Sequence, residues 1–304
     1  MNFSDLYGEA ILWTCYHENY SLRYRMLNLY GIDNNDITVF DHLGKFFPFD
    51  EFYVRGAKPD MQNAIDDLTL SKKSLILPWM YRSTRPHETV KGKRIICPSY
   101  EMFSLLDNKI ATKKVFGELG LPTPEWSFLN KGRIMLEKPI QNSGGGRGIR
   151  LTSEGPGTDC FVEEYIPDCR SIGMQFFIFD EVDYLCADEM IYEYGEQRTF
   201  TFHAQSNVQK DELPKALIEE CFTLCTYLMG LGYRGLVGID ALVGEGKHYF
   251  LEVNPRGIAF LPAFFSGSSM GWTRFTTYMK DGALEKEEII LLDFGRKKKV
   301  LRKL

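Results

Sequence analysis

A glycine-dense segment that follows a short apolar run restricts the fold of this chain more than any other feature. Residues 134–149 read Ile-Met-Leu-Glu-Lys-Pro-Ile-Gln-Asn-Ser-Gly-Gly-Gly-Arg-Gly-Ile, so the apolar run ends at Lys138 and the glycines begin six residues later. Glycine adopts positive φ and lets bare backbone approach a ligand closely. Successive N–H groups in such a turn form an anion-binding concavity, to which a lysine adds a charge suited to phosphate. The segment therefore predicts a flexible loop over the phosphates of a nucleotide.

The same residues also fit a second interpretation. The loop consists of Gly144, Gly145, Gly146, Arg147 and Gly148. It could equally be the tip of a hairpin, with Lys138 a solvated strand residue. The common nucleotide motifs are absent, because Ile149 stands where Gly-x-Gly-x-x-Gly needs its last glycine and no Gly-Lys-Ser/Thr occurs. Residues further along the chain are needed to distinguish the phosphate-binding loop from the hairpin tip.

The composition excludes several classes of protein. A chain of 304 residues with 44% apolar and 25% charged residues is typical of a soluble globular protein with about two domains. The net charge of −5 argues against a nucleic-acid partner, which needs a basic surface. The basic run at 296–299 is expected to be a solvated helix end or tail.

Cysteine usage and hydropathy give an expected location. The seven cysteines are scattered and no Cys-x-x-Cys pair occurs, which favours reduced thiols over a zinc site. The chain shows no basic-then-apolar leader and no apolar run of about 18 residues. We therefore expect a cytoplasmic protein that binds neither membrane nor nucleic acid.

Extended and helical patterns alternate in the first third of the chain. This alternation predicts an α/β lobe with a small parallel sheet over residues 1–98. The predicted strands lie near residues 8–14, 37–40, 52–54, 75–77 and 94–97, with helical stripes at 22–30 and 61–68.

Longer elements follow after residue 98. Ser99 is expected to cap a helix that breaks near Asp107 and ends at Gly120, before a linker at 120–125. Strands and turns then dominate, apart from an amphipathic helix that begins at Pro214. The predicted strands are 126–129, 133–138, 148–152, 160–166, 174–180, 183–188, 236–243 and 248–253.

Oxygen-bearing side chains gather in the closing hairpin. Asp240 lies on its first strand, and Glu252 and Asn254 lie two residues apart on the second, so they point to one face. Oxygen donors without Cys or His suit a hard cation such as Mg²⁺, which takes one or two carboxylates together with substrate phosphates. A hairpin with a polar outward face is the alternative. Arg256 follows where Pro255 ends the strand, which is typical of an active site.

Six motifs, taken in their order along the chain, resemble the ATP-grasp superfamily. They are Asp-Asn-Lys-Ile-Ala-Thr-Lys around Lys109, Gly-Leu-Pro-Thr-Pro at 120–124, Lys138 with its glycine loop, Val-Glu-Glu-Tyr-Ile at 162–166, Gly-Ile-Asp at 238–240 and Leu-Glu-Val-Asn-Pro-Arg at 251–256. The resemblance covers residues 99 to about 260. It implies an α/β protein whose α+β lobes clamp ATP. The ATP-grasp domain would span residues 99–304, and a pre-ATP-grasp lobe at 1–98 would precede it in the chain. The small lobe would span about 122–166 and the C-terminal lobe about 167–304.

The resemblance also implies how the nucleotide is held. Lys109 and Lys138 would bind phosphates while the 144–148 loop closes over them, and the hinge between the lobes would read adenine through backbone groups. That hinge consists of Glu163, Glu164, Tyr165 and Ile166. Backbone groups of Glu164 and Ile166 would contact the adenine edge, and Glu163 would lie beside it. The ribose-binding glutamate that many members carry after the hinge is missing, and Asp168 or Ser171 could substitute for it.

The remaining site residues are likewise implied by the resemblance. One or two Mg²⁺ or Mn²⁺ ions would be coordinated by Asp240, Glu252 and Asn254. Arg256 would steady an acyl phosphate, so that Arg256 and Lys138 are the expected catalytic residues. Arg198 stands where several members keep a basic phosphate contact.

Members of the superfamily mostly activate a carboxylate as an acyl phosphate, which an amine or thiol then attacks. The Gly-Gly-Gly-Arg-Gly loop is similar to that of biotin carboxylase, but 304 residues leave little room for that enzyme's extra C-terminal domain. The expectation is therefore an ATP-dependent carboxylate–amine ligase that joins amino acids or small peptides. A small-molecule kinase, a carboxylase-like ATP-grasp enzyme and a non-catalytic nucleotide-binding scaffold are the alternatives.

Two groups of residues are candidates for substrate specificity. Arg82 or Arg85 could clamp a carboxylate, although a plain surface loop fits them as well. Aromatic residues could line a pocket or belong to the core: Phe260, Phe264, Phe265 and Trp272. The expected partners are a small-molecule carboxylate and an amine; the oligomeric state stays open, with a homodimer among the alternatives.

Overall fold

The computed structural model describes residues 1–7, 9–15, 51–55, 72–78, 92–130, 132–141, 148–194, 199–258, 270–271, 290–294 and 297–301. Its first sheet contains β1 (Ala10–Cys15), β2 (Glu51–Arg55), β3 (Leu75–Pro78) and β4 (Arg94–Ile95). These strands run in the order β2-β1-β3-β4, and every pairing is parallel. The predicted parallel sheet is thus observed; the strand near 37–40 and the helices at 22–30 and 61–68 lie outside the described residues.

Two helices follow this sheet, α1 (Tyr100–Leu106) and α2 (Lys109–Glu118). The Ser99 hydroxyl accepts a hydrogen bond from the Met102 N–H at 3.2 Å, as expected of an N-cap. The predicted break near Asp107 is confirmed. It exists because Asn108 begins a new helix, its side-chain oxygen accepting from the N–H groups of Ile110 (3.0 Å) and Ala111 (3.1 Å). This second cap fixes where α2 starts, and so directs the lysines on its first turns.

A small antiparallel sheet comes next. Its strands are β5 (Trp126–Ser127), β6 (Met135–Pro139), β7 (Arg150–Thr152) and β8 (Cys160–Glu164), in the order β5-β8-β6-β7. Strands β6 and β7 flank the glycine-rich segment, of which Gly148 is described. Gly148 has φ +77°, and a Cβ there would lie 2.8 Å from Cγ of Pro139, so only glycine fits this position.

A larger antiparallel sheet forms the second half of the structure. Its strands are β9 (Arg170–Ile178), β10 (Val182–Tyr194), β11 (Phe200–Val208), β12 (Gly235–Gly244), β13 (Lys247–Asn254), β14 (Met270–Gly271), β15 (Ile290–Phe294) and β16 (Lys297–Leu301). The spatial order is β13-β12-β9-β10-β11-β14-β15-β16. Helix α3 (Lys215–Gly230) packs on β9 and β10. Its buried residues include Leu217, Cys221, Leu224 and Leu228, each of which is 0% exposed.

Four segments differ from the sequence-based expectation. The basic run is not a helix end or tail, because residues 297–301 form β16 and pair with the apolar strand β15, and an edge strand tolerates lysines. Strand β11 was not predicted, since its polar residues break the apolar pattern. Strands β9 and β10 are longer than predicted. No helix in the described part of the chain is long and apolar enough to cross a membrane.

Candidate active site

Helix α2 connects the two antiparallel sheets through two lysines. Lys109 and Lys113 are four residues apart and therefore share one face of the helix. Lys109 Nζ lies 2.8 Å from Oε2 of Glu252 on β13, whereas Lys113 forms an ion pair with Glu163 on β8. The helix thus places one ammonium group at the large sheet and one at the small sheet.

Glu163 joins two lysines in the interior. Its side chain is 1% exposed, and its two oxygens form ion pairs with Lys138 and with Lys113. Burial alone would raise the pKa of Glu163, but the two ammonium groups outweigh it and lower that pKa. Burial lowers the pKa of Lys113 to about 8, against the opposing effect of Glu163. Lys113 Nζ also donates to Thr123 Oγ1 at 2.7 Å, which attaches α2 to the linker.

Lys113 was not among the predicted site residues, although it is the last residue of the motif around Lys109. Its i+4 spacing from Lys109 was the available signal. The predicted phosphate-binding residue Lys138 is 7% exposed and is held in place by Glu163. Glu163, predicted to lie beside adenine, has its carboxylate occupied by these two lysines.

Polar residues form a row across four strands of the large sheet. Glu252 on β13 pairs with Asp240 on β12, Asp240 with Gly173 on β9, and Gly173 with Asp188 on β10. Residues directly opposite on neighbouring strands project to the same face of a sheet. The three carboxyl groups therefore lie along one face, with bare backbone between two of them.

Asn254 and Arg256 extend this group. Asn254 Nδ2 donates to Asp240 Oδ2 at 3.1 Å, and Arg256 Nη1 donates to Asn254 Oδ1 at 2.8 Å. The backbone after Arg256 is fixed by Gln175 of β9, whose Oε1 accepts from the Ile258 N–H at 2.6 Å. The structure thus brings together Lys109, Glu252, Asp240, Asn254 and Arg256 from distant parts of the chain.

The two carboxyl groups of the closing hairpin differ in pKa. Burial alone would raise the pKa of Glu252, but the nearby Lys109 and then Lys138 outweigh it and hold that pKa at about 2. Burial, the charge of Glu252 and a hydrogen bond to it raise the pKa of Asp240 well above its ordinary value. The raised pKa of Asp240 favours a proton on this pair, and a bound cation would compete with that proton.

The donor set fits a hard cation. Two carboxyl groups and one amide oxygen suit Mg²⁺ or Mn²⁺ better than a soft metal. Within the described ranges, no group of three or more His, Cys, Asp or Glu side chains is arranged to hold a metal. A cation at this site would therefore need Asn254, whose oxygen now accepts from Arg256, and oxygen atoms from its substrate.

The hinge residues comprise the last two residues of β8 and the two that follow it. The Glu164 N–H donates to the Glu125 carbonyl at 2.8 Å, so this N–H is not the group that would read adenine. The Tyr165 ring is 39% exposed and lies 6.1 Å from the Phe200 ring. Ile166 is half-buried, while Asp168 is exposed and has φ +57°. Predicted site residues outside the described part of the chain are Gly144, Gly145, Gly146, Arg147 and Arg198, and so are the specificity candidates Arg82, Arg85, Phe260, Phe264, Phe265 and Trp272.

Comparison with known families identifies the domain that carries these residues. The sequence model of the ATP-grasp domain family matches residues 106–259, just over half of the chain. This chain belongs to the ATP-grasp family. The match spans α2, the small sheet and the large sheet up to the end of β13, and it contains both lysines and the whole polar row. No curated protein matches the chain.

Solved structures share the ATP-grasp fold. The biotin carboxylase domain of 2-oxoglutarate carboxylase from Hydrogenobacter thermophilus, solved with MgADP, ADP and bicarbonate, matches with a TM-score of 0.55 and 19% identity over 84% of this chain and 66% of that one. An Archaeoglobus fulgidus protein assigned to the ATP-grasp superfamily matches with a TM-score of 0.54 and 16% identity over 86% of each chain. The ADP complex of N5-carboxyaminoimidazole ribonucleotide synthetase matches with a TM-score of 0.52 and 14% identity over 83% of this chain and 71% of that one.

These identities establish the fold and nothing finer. The ATP-grasp chain studied here spans just under two thirds of the biotin carboxylase domain that it matches. An ATP-grasp fold with α/β and antiparallel lobes is nevertheless what the sequence predicted.

The sequence analysis also missed Asp188 and Gln205. Both side chains are buried, at 1% and 6% exposure, and Gln205 Nε2 donates to Asp188 Oδ2 at 2.8 Å. Burial raises the pKa of Asp188 to about 8, against the opposing effect of the Gln205 hydrogen bond. The available signal was the acidic residue Asp188 at the end of the apolar strand predicted at 183–188. This residue lies outside the six motifs, so the motifs gave no reason to assign it to the site.

Proposed function

We propose that this ATP-grasp protein is an ATP-dependent carboxylate–amine ligase that joins amino acids or small peptides through an acyl phosphate. The observation that carries the proposal is the convergence of lysine ammonium groups with the Asp240–Glu252 pair. Phosphoryl transfer depends on positioning and on neutralisation of charge more than on covalent help from the protein. The lysine ammonium groups and the carboxyl oxygens gathered here would supply both the positioning and the neutralisation of charge.

The first step would transfer the γ-phosphoryl group to the substrate carboxylate. A carboxylate oxygen attacks the γ-phosphorus, the bond to the bridging oxygen breaks, and ADP leaves. Lys109 and Lys138 would hold the phosphates, and Asp240, Glu252 and Asn254 would hold Mg²⁺. Bound Mg²⁺ would neutralise charge on the phosphate oxygens.

The second step would form the amide. The amine nitrogen attacks the acyl carbon, inorganic phosphate leaves and the nitrogen loses a proton. Arg256 would stabilise the departing phosphate, because its guanidinium presents paired N–H donors that match phosphate oxygens. Its hydrogen bond to Asn254 holds it beside the site.

A carboxylase-like reaction is the second candidate. Two of the structural neighbours are named as a carboxylase domain and as a carboxyaminoimidazole ribonucleotide synthetase, and one of them was solved with bicarbonate. In this reaction bicarbonate would take the place of the organic carboxylate, and the attacking amine would become a carbamate.

Product analysis separates these reactions. The protein is incubated with MgATP and pairs of amino acids or small peptides, and separately with ¹³C-bicarbonate and the same amines. A ligase gives ADP, phosphate and an amide mass that require both substrates, and a carboxylase gives ¹³C-carbamate. ADP with a phosphorylated product and no free phosphate would indicate a kinase and refute the proposal, as would an absence of turnover with every pair.

A further inference from the structure

The polar row extends beyond the predicted metal-binding residues. Asp188 lies at its far end on β10, separated from Asp240 by Gly173. A Cβ at Gly173 would lie 2.9 Å from Asp188 Oδ1 and 3.6 Å from Asp240 Oδ1. Both carboxyl groups therefore lean over the bare backbone of Gly173 and form a cradle that a side chain at this position would obstruct.

Two acceptors next to this cradle lack a donor. Asp188 Oδ1 and Gln205 Oε1 are buried and have no hydrogen-bond partner within the described part of the chain. The other oxygen of Asp188 and the nitrogen of Gln205 bond to each other at 2.8 Å, which fixes both side chains. A buried acceptor left without a donor destabilises the folded protein. Two such acceptors on linked side chains indicate a ligand that brings its own N–H groups.

We propose that Asp188, Gln205 and the bare backbone of Gly173 form a subsite for the cationic amino group of the substrate amine. A primary ammonium group carries three donors and no acceptor, which complements the two unpartnered oxygens, Asp188 Oδ1 and Gln205 Oε1. It also carries a positive charge, and among the described residues the lysines near the row are already paired, Lys109 with Glu252 and Lys138 with Glu163.

The position of the subsite agrees with this assignment, which rests on the proposed ligase function. The Glu252 end of the row, next to Lys109, would face the phosphates, and the Asp188 end lies three strands away on the same face of the sheet. The carboxyl oxygens of Asp188 and Asp240 lie 2.9 Å and 3.6 Å from the Cβ position at Gly173, so an amine held by Asp188 lies next to the residues proposed to hold the cation. The bound ammonium group would give one proton to the Asp188 carboxylate, and the neutral amine nitrogen would then attack the acyl carbon as phosphate leaves.

Two variants test the subsite, and one serves as a control. Asp188→Asn removes the charge and keeps the size, and Gly173→Ala fills the cradle. The matched control is Glu189→Gln, the next residue on β10, whose side chain points to the opposite face and pairs with Arg170 at 3.0 Å. Thermal unfolding of each variant establishes that it is folded.

The first experiment does not depend on turnover. Binding of ¹³C-methylammonium is followed by NMR titration in the presence of MgADP, with tetramethylammonium, which has no N–H donor, at matched ionic strength. Wild type and Glu189→Gln are expected to bind methylammonium, whereas Asp188→Asn and Gly173→Ala lose about 10-fold or more in affinity, as expected when a hydrogen bond to a charged group is lost. Equal affinities in wild type and Asp188→Asn, or no binding to wild type, would overturn the subsite.

The second experiment separates the subsite from the proposed function. For any amine that the wild type ligates, Asp188→Asn should raise the KM for that amine about 10-fold or more while the KM for ATP stays within about twofold. An unchanged KM for the amine in a working ligase would refute the subsite alone. Methylammonium binding that depends on Asp188, in a protein that makes no amide, would refute the ligase and retain the subsite.

Discussion

The ammonium group of Lys109 lies 2.8 Å from the carboxylate of Glu252. A residue expected to bind phosphate thus contacts a residue expected to bind a cation. Asn254 and Arg256 form a second such pair, with 2.8 Å between the amide oxygen and the guanidinium nitrogen. In the protein alone, the two side chains of each pair satisfy each other's charge or hydrogen-bonding groups. Binding of MgATP would replace these contacts between side chains with contacts to the ligand.

This exchange predicts that ATP binding requires Mg²⁺. Without the cation, freeing Lys109 for phosphate would leave the carboxylate of Glu252 unpaired near the triphosphate. Calorimetry with ATP should therefore show affinity at least about 10-fold weaker in a chelator than in excess Mg²⁺, since burying an uncompensated charge costs several kcal/mol. Equal affinity under the two conditions would contradict the metal role of the hairpin.

A second prediction concerns the proton on the Asp240–Glu252 pair. Burial and the neighbouring Glu252 raise the pKa of Asp240 well above its ordinary value, so a cation at the hairpin competes with a proton for this carboxylate. Binding of MgADP should therefore be accompanied by release of protons, and affinity should rise with pH. Calorimetry in buffers of different ionisation enthalpy measures the number of protons released on binding. Asp240→Asn should abolish the release; a wild-type value of zero would contradict this account.

Lys138 and Glu252 are both expected to be essential for turnover. Lys138→Ala removes the proposed phosphate contact and Glu252→Ala the proposed cation ligand, and each should lower kcat by about 100-fold or more. Lys215→Ala is the control, because that side chain is 90% exposed and lies at the start of α3. Circular dichroism tests whether the variants fold. Wild-type rates in a folded Lys138 or Glu252 variant would disprove the assigned role.

The buried carboxylate of Glu163 should make stability depend on pH. Two ammonium groups lower its pKa in the folded state, so its contribution is present above the ordinary pKa of about 4.3 and is lost as pH falls through the lower folded value. Glu163→Gln should cost about 3–5 kcal/mol near pH 7, because it leaves two buried lysines without their counter-charge.

Urea unfolding at a series of pH values measures this effect. The difference in free energy of unfolding between wild type and Glu163→Gln should shrink below about pH 4. Glu125→Gln, which removes an exposed partner of Arg133 at 3.7 Å, should change stability by less than about 1 kcal/mol. A Glu163→Gln difference that does not vary with pH would exclude an ionised pair.

The sequence predicted those parts of the site that carry local signals. Ser99 caps α1 as expected, the break near Asp107 is present, and the i, i+2 spacing of Glu252 and Asn254 reflects a real strand. The parallel sheet could be anticipated because its apolar runs are short and regularly spaced. These features depend on residues close together in the chain, where periodicity and capping chemistry are decisive.

The missed parts depend on register between distant strands. Asp188 comes into line with Asp240 only because β9 lies between β10 and β12 and places Gly173 opposite both. Lys113 acquires a partner only when β8 brings Glu163 against α2. No local pattern encodes either pairing, and a lysine or aspartate in an apolar segment looks like an ordinary surface residue until its neighbours are known.

The most direct test of carboxylate activation follows oxygen atoms. The substrate carboxylate is labelled with ¹⁸O, turnover is run with MgATP and the amine, and the released phosphate is analysed by mass spectrometry. An acyl phosphate transfers one carboxylate oxygen to phosphorus, so the account predicts one ¹⁸O in each phosphate released. Unlabelled phosphate, with both ¹⁸O atoms retained in the organic product, would contradict it.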